Sequence, residues 1–186
     1  MAKLGRSEVR LTGFGGQGIV LAGIILARAA MYDGKEVTQT QSYGPEARGG
    51  ACQSGVVISD EPILYPFADK PDIMIAMSQE ALDKHIKSLK KGRKLIIDAD
   101  MIHQIPQKSG IKINKITATS IAEEKLGRGL LANIIMLGAL SSLTNIVSKE
   151  AMQRAVRESV PKGTEELNLQ ALAEGFSKPE KSVTGK

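Results

Sequence analysis

The chain has 186 residues, 42% of them hydrophobic and 24% charged, with 25 Lys and Arg against 20 Asp and Glu for a formal charge of +5. That length supports one well-packed domain and excludes two large ones, and the composition excludes collagen-like, disordered and coiled-coil chains. Three Tyr, three Phe and no Trp leave too few aromatic side chains for base stacking, so no nucleic-acid partner is expected. Lys178, Lys181 and Lys186 beside only Glu180 place +2 of the +5 in the last nine residues, so the body is barely basic.

The single cysteine, Cys52, cannot close an internal disulfide, complete a cysteine zinc site or hold an iron–sulfur cluster alone. A cytoplasmic, reducing location fits. The first six residues lack the order of a signal peptide. The most apolar stretches, residues 19–27 and 130–143, fall short of the ~20 needed to cross a bilayer, so no membrane partner is expected.

In chain order, residues 8–12 read as a short strand. The run Gly13-Phe14-Gly15-Gly16-Gln17-Gly18 turns that strand into an apolar helix over 19–31. Strands follow at 35–40, 51–59 and 72–77, then a helix at 79–91 and a strand at 94–98. Residues 41–50 carry three glycines and Pro45 and read as a structured loop. Further on, a strand is expected at 111–116, and a short helix capped by Thr119 or Ser120 ends near Gly127. Helices at 130–143, 149–160 and 165–176 make a helical C-terminal third. Strand–helix alternation implies an α/β fold. An open, mostly parallel sheet flanked by helices in a three-layer sandwich is expected, formed by one domain over 1–177 with a polar flexible tail at 178–186.

Gly13-x-Gly15-x-x-Gly18 matches the dinucleotide fingerprint after a strand and before a helix. Glycine permits positive φ and close approach of backbone N–H groups, and the helix N-terminus attracts anions. Gly15 is the position expected to need this freedom. The acid that should hold the ribose about 20 residues later is missing, since the second strand reads Thr38-Gln39-Thr40-Gln41. No Lys-Ser/Thr pair follows the glycines, which excludes a triphosphate loop. A dinucleotide, another phosphate-bearing ligand and a purely architectural turn stay open.

The second cluster, Ser42-Tyr43-Gly44-Pro45-Glu46-Ala47-Arg48-Gly49-Gly50, places a hydroxyl, a phenol, a carboxylate and a guanidinium at the end of the second strand. On a parallel sheet it shares the carboxyl edge with the first glycine run, so the two can face one cleft. Arg48 either grips an anion or pairs with Glu46 to stiffen the loop. Cys52 reads as a small buried hydrophobe. His85 and His103 read as surface histidines without ligand-spaced neighbours. Lys84, Lys87, Lys90, Lys91, Arg93 and Lys94 form a basic run, a solvated face or a dock for an acidic partner. Asn133, near Gly138 in an apolar helix, reads as a buried hydrogen bond or close helix packing.

Four ordered segments together resemble one family: Gly13-Phe-Gly-Gly-Gln-Gly-Ile-Val-Leu-Ala-Gly23, Ser42 to Gly50, Asn133 with Leu137-Gly138-Ala139-Leu140, and Glu166-Leu-Asn168 to Gly175. Over residues 7–177 the chain is similar to the gamma subunit of 2-oxoacid:ferredoxin oxidoreductases. The 2-oxoglutarate type is nearest, with the pyruvate and 2-oxoisovalerate types close. The resemblance implies a non-catalytic subunit working with alpha, beta and delta subunits. The whole enzyme would use thiamine diphosphate, magnesium (Mg), 4Fe–4S clusters and coenzyme A, and pass electrons to ferredoxin, with none of these groups bound tightly by this chain alone. It implies that Gly13, Gly15, Gly16, Gln17, Gly18, Ser42, Tyr43, Gly44, Glu46, Arg48 and Gly49 form a glycine-rich edge facing the assembly, with coenzyme A as the phosphate-bearing guest. A stand-alone dinucleotide-binding module and a purely structural scaffold are the alternatives.

Overall fold

The computed structural model describes residues 5–43, 51–105, 110–177 and 183–184. The strands are β1 Arg6–Phe14, β2 Glu36–Tyr43, β3 Ala51–Ser59, β4 Ile73–Ala76, β5 Lys94–Asp98, β6 Lys112–Ile116 and β7 Val183–Thr184. The helices are α1 Ile19–Tyr32, α2 Gln79–His85, α3 Ala118–Glu124, α4 Ala132–Thr144, α5 Lys149–Ser159 and α6 Glu165–Ser177. Single 3-10 turns, Ile86–Ser88 and Gly129–Leu131, follow α2 and precede α4.

All seven strands join one open sheet in the order β2-β3-β1-β4-β5-β6-β7. β1, β4, β5 and β6 pair in parallel. β3 lies antiparallel between β1 and β2, and β7 runs antiparallel to β6. Since β2 reverses β3, which itself reverses β1, only β3 and β7 oppose the common direction, and the mostly parallel sheet flanked by helices is borne out. Simple alternation did not foresee β3 between β1 and β2. Its cause is connection length: residues 44–50 are too few for a crossover, so the chain returns beside β2 as an antiparallel neighbour.

Each face of the sheet carries its own core, because successive side chains on a strand point to opposite sides. On one face Val9, Leu11, Val56, Ile58, Ile73, Ile75 and Ile96 pack with α1, α3, α4 and α5. On the other Met74, Ala76, Leu95 and Ile97 pack with Leu82, Ile86 and Leu89 of the α2 region. β4, buried along its whole length, therefore reads in sequence as an unbroken apolar run.

β2 continues to Tyr43, three residues past its expected end. Gln41, Ser42 and Tyr43 oppose Ser54, Gln53 and Cys52, and ladder pairing overrides the polar, turn-like sequence. The helix expected over 79–91 ends as α2 at His85 and is closed by a 3-10 turn, with the Ser88 hydroxyl donating to the His85 carbonyl at 2.7 Å. At the start of α3 neither Thr119 nor Ser120 is the cap, and Thr117 at the cap position makes no side-chain bond. Orphan N–H groups are met from the end of β5: Thr119 N–H donates to Asp98 Oδ1 at 3.5 Å and Ser120 N–H to Asp100 Oδ2 at 2.7 Å, while the Thr119 hydroxyl donates to Asp98 Oδ2 at 2.6 Å. Asp98 is fully buried, and burial pushes its carboxyl up, opposed by the Thr119 hydroxyl. Val183–Thr184, within the segment read as a tail, pairs with Lys112 and Ile113.

α4 is buried from Ala132 to Ser141, as an all-round apolar helix must be. It meets α6 at Gly138 and Gly175, whose Cα atoms come so close that a Cβ on Gly175 would overlap the Ile135 carbonyl oxygen and stand 2.9 Å from Gly138 Cα. Polar ties fasten α1 to α5. The Asp33 carboxylate accepts Ser148 N–H and Oγ–H at 2.6 Å each, Tyr32 bonds Glu158, and Arg154 lies 4.0 Å above the Tyr32 ring.

His85 is not the surface residue expected from sequence. It is half-buried, and burial, followed by the charges of Arg10 and Lys84, holds its imidazole down at about 4. His103 is exposed, as expected.

Gly175→Ala should lower unfolding free energy by about 1–3 kcal/mol, because backbone atoms rather than flexible side chains block the new methyl group; urea denaturation measures this. The unfolded chain protonates His85 near 6.5 and the fold only near 4. The contribution from His85 is therefore fully present above pH 6.5 and is lost as pH falls towards 4. Melting temperatures across that interval should fall in the wild type and fall less in His85→Gln.

Candidate functional site

β1 is the point at which the sheet is built in two directions: α1 carries the chain outward to β2, while β4, β5 and β6 extend the other way. In open α/β sheets the crevice at such a switch, beyond the strands' carboxyl ends, is the preferred ligand position. Here that crevice lies between Phe14 at the end of β1 and Met77 just after β4, and the first glycine run fills its mouth.

Gln17 organises this run. Its Oε1 accepts the Phe14 N–H at 2.9 Å and its Nε2 donates to the Met77 carbonyl at 2.7 Å, while its own N–H donates to the Phe14 carbonyl at 3.2 Å. One side chain thus closes the loop on itself and ties it to the neighbouring strand. Positive φ falls at Gly16 (108°) and Gly18 (71°), not at Gly15, which corrects the expectation for that position. Gly13 is required for space, since a Cβ there would stand 2.8 Å from Ile19 Cδ1 and overlap Gln17 Oε1. Gly18 is the N-cap of α1 and supplies no side-chain cap, which leaves the first N–H groups of the helix open to a guest.

Asn133 reaches the same spot from α4. Its Nδ2 donates to the Gly18 carbonyl at 3.1 Å, and a Cβ on Gly18 would collide with that amide. The buried hydrogen bond expected of Asn133 is present, and it holds the start of α1 against the start of α4.

Two hollows flank the loop. One, of about 220 Å³, is lined by Phe14, Gly16, Gln17, Met77, Met101 and Leu130 among others. The second, of about 300 Å³, includes Gly16, Gly18, Leu21, Arg128, Leu130 and Ile134. Gly16 and Leu130 border both, and Leu130, 73% exposed, forms the ridge between them. Mostly apolar walls with a few polar groups are the usual lining of a small-molecule site. Sequence reading missed Met77, Met101, Arg128 and Leu130; the first two sit just past strand carboxyl ends, which was the available signal.

Of the second cluster, Ser42 and Tyr43 close β2, while Gly44, Glu46, Arg48 and Gly49 lie outside the described residues. Tyr43 and Gly13 both oppose Cys52 in the ladder, so one strand separates the two segments, roughly 10 Å. Ser42 lines a different hollow, on the sheet face away from α1, together with Arg10 and Gln53. Among the described residues the two clusters share an edge and not a cavity. Cys52 is 4% exposed and burial pushes its thiol up, the state of an inert core cysteine. Among the described residues no three His, Cys, Asp or Glu stand close enough to hold a metal, and no helix is long and apolar enough to cross a membrane.

Gly16→Val should cost about 1–3 kcal/mol, because a branched residue must hold a left-handed backbone. Gln17→Ala should cost a similar ~1–3 kcal/mol by stranding the Phe14 N–H and the Met77 carbonyl. Denaturant melts measure both, and faster amide exchange at Phe14 in Gln17→Ala locates the second effect.

Comparison with known proteins agrees with this architecture. The pyruvate ferredoxin/flavodoxin oxidoreductase family matches residues 8–178. The 2-oxoglutarate synthase subunit KorC of Methanocaldococcus jannaschii is 55% identical over 174 residues, 92% of each chain. The pyruvate/ketoisovalerate oxidoreductases common subunit gamma of Thermococcus kodakarensis is 33% identical over 92% of this chain and 96% of its own. The crystal structure of the keto/oxoacid ferredoxin oxidoreductase gamma subunit from Geobacter sulfurreducens superposes with a TM-score of 0.85 at 44% identity, over 94% of this chain and 96% of that one. A family match over residues 8–178 and relatives at this identity and coverage leave one conclusion: the chain belongs to the pyruvate ferredoxin/flavodoxin oxidoreductase family.

Proposed function

We propose that this chain is the gamma subunit of a 2-oxoglutarate:ferredoxin oxidoreductase, a cytoplasmic enzyme completed by alpha, beta and delta subunits, and that it shapes the coenzyme A side of the active site without a catalytic residue of its own. The observation that carries the substrate is the identity gap: 55% to a 2-oxoglutarate synthase subunit against 33% to a pyruvate/ketoisovalerate one. The complete enzyme would convert a 2-oxoacid, coenzyme A and oxidised ferredoxin to acyl-coenzyme A, carbon dioxide and reduced ferredoxin. Thiamine diphosphate, magnesium and the 4Fe–4S clusters would belong to the partner subunits.

The residues of the switch-point crevice fit coenzyme A. A Cβ at Gly16 would meet nothing within 4 Å, so the loop backbone lies open to a large anion. Free N–H groups at the head of α1 suit a phosphate, and exposed Arg128 adds a planar cationic fork at the rim. Leu21, Leu130 and Ile134 would line the path of the apolar arm. Coenzyme A, when bound, supplies the thiol that accepts the acyl group; this chain's part is to hold the anionic end and keep the arm away from water. The two hollows are small for so long a molecule, which suits a site finished by a neighbouring subunit. The dinucleotide-binding alternative is disfavoured because β2 lies two strands from β1, and so does not present a ribose-binding position beside the glycine loop.

Co-expression with the three partner subunits tests this reading. Coenzyme A should slow amide exchange at residues 13–18 and 42–50 beyond the protection given by assembly. Arg128→Ala should raise the KM for coenzyme A about tenfold, the loss of roughly one charge-assisted contact, and leave the KM for 2-oxoglutarate unchanged. Micromolar calorimetric binding of NAD, NADP or FAD to the isolated chain, or turnover of a 2-oxoacid by it unaided, would overturn the assignment.

A further inference from the structure

β2 ends the sheet on one side, and among the described residues no strand receives its outward N–H and C=O groups. Exposed edges invite pairing and are usually blunted by lysine, proline, a bulge or shortness. β2 has none of these. It runs for eight residues, Glu-Val-Thr-Gln-Thr-Gln-Ser-Tyr, in unbroken register with β3 from Glu36 opposite Ser59 to Tyr43 opposite Cys52.

Two further features lie beside this edge, on the face away from α1. The first is a protruding apolar loop: Leu64 is 96% exposed, Tyr65 52% and Phe67 48%. It is pinned to β2 by the Thr38 hydroxyl, which donates to the Pro66 carbonyl at 2.9 Å. The second is a hollow of about 250 Å³, lined by Arg10, Thr40, Ser42, Gln53, Gly55 and Phe67 among others. There Gln53 Oε1 is buried and has no donor among the described residues.

We propose that two copies of this chain associate edge to edge, β2 pairing antiparallel with β2 of the second copy about a twofold axis normal to the sheet. Such an axis keeps like faces together, so directly opposed residues must share the same parity, and the axis passes through Gln39 or Thr40. In the first case Thr38 opposes Thr40 of the second copy and Glu36 opposes Ser42. In the second, Thr38 opposes Ser42. No like charges meet in either register, and the Thr–Thr or Thr–Ser pairs are of the favourable cross-strand kind.

Both registers bring the same two features together. Thr38 carries the Leu64–Phe67 loop, while Thr40 and Ser42 line the hollow. Pairing sets Thr38 of one copy a strand spacing, about 4.8 Å, from a lining residue of the other. Each copy's exposed loop is delivered to the other's hollow, and the contact occurs twice around the axis and closes, as an isologous interface must.

Sedimentation equilibrium of the isolated full-length chain from about 1 to 100 µM tests the proposal without partner subunits, so its outcome is independent of the enzyme assignment. The wild type should be a dimer. Leu64→Lys and Gln41→Lys, both at exposed positions, should each raise the dimer Kd at least tenfold while circular dichroism and melting stay those of the wild type. A nitroxide at residue 39 should report a short distance to its counterpart. A monomer at the highest concentration, or a dimer whose Kd neither lysine alters, would overturn the proposal.

Discussion

The side-chain amide of Gln17 spans the gap between two strand ends, and the arrangement around the crevice follows from that bridge. Its oxygen takes the Phe14 N–H and its nitrogen serves the Met77 carbonyl. The glycine loop is thereby bonded both to the strand that produces it and to the next strand of the parallel half-sheet. Backbone polar groups at strand ends need partners when they leave the ladder, and one neutral amide supplies both an acceptor and a donor. A carboxylate would lack the donor and an ammonium the acceptor. The same bond decides that Gly13 must be glycine, since the amide occupies the space of its Cβ.

A second constraint acts through the helices. α4 runs through the interior with almost no polar surface, and its one amide, Asn133, is turned to the Gly18 carbonyl. Near its middle, Gly138 permits the close approach of Gly175 on α6. Dense packing of this kind has no slack, so the head of α1 is positioned by contacts that begin on a helix more than a hundred residues later in the chain. A rigid backbone edge with few reactive side chains suits the proposed role of shaping a site whose chemistry is supplied by other subunits.

The two edges of β1 have different fates. Towards β4 the chain builds a parallel half-sheet, buried along all of β4 and most of β5, with a crevice at its carboxyl end. Towards β3 and β2 it builds an antiparallel half whose outer strand is polar, uncharged over most of its length, and bordered by an exposed apolar loop. The proposed small-molecule site and the proposed chain–chain edge are thus separated on one sheet, and the strand that divides them, β3, carries the inert Cys52.

By itself the amino-acid sequence determined the α/β class, the positions of nearly every strand and helix, and the glycine run opening α1, because these depend on local periodicity and on residues whose backbone freedom is intrinsic. The burial of Asn133 and Cys52 was also legible, since an amide or thiol in an apolar run has few other options. Tertiary structure alone decided which strands became neighbours, and therefore that β3 stands between the two clusters and that the crevice is walled by Met77, Met101 and Leu130. It also decided that Asp98 and Asp100 cap α3 from the end of β5, that β2 extends through Ser42 to Tyr43, and that His85 is held neutral beside Arg10. Each of these rests on contacts between residues distant in the chain, whose hydrogen bonds and burial outweigh local preference.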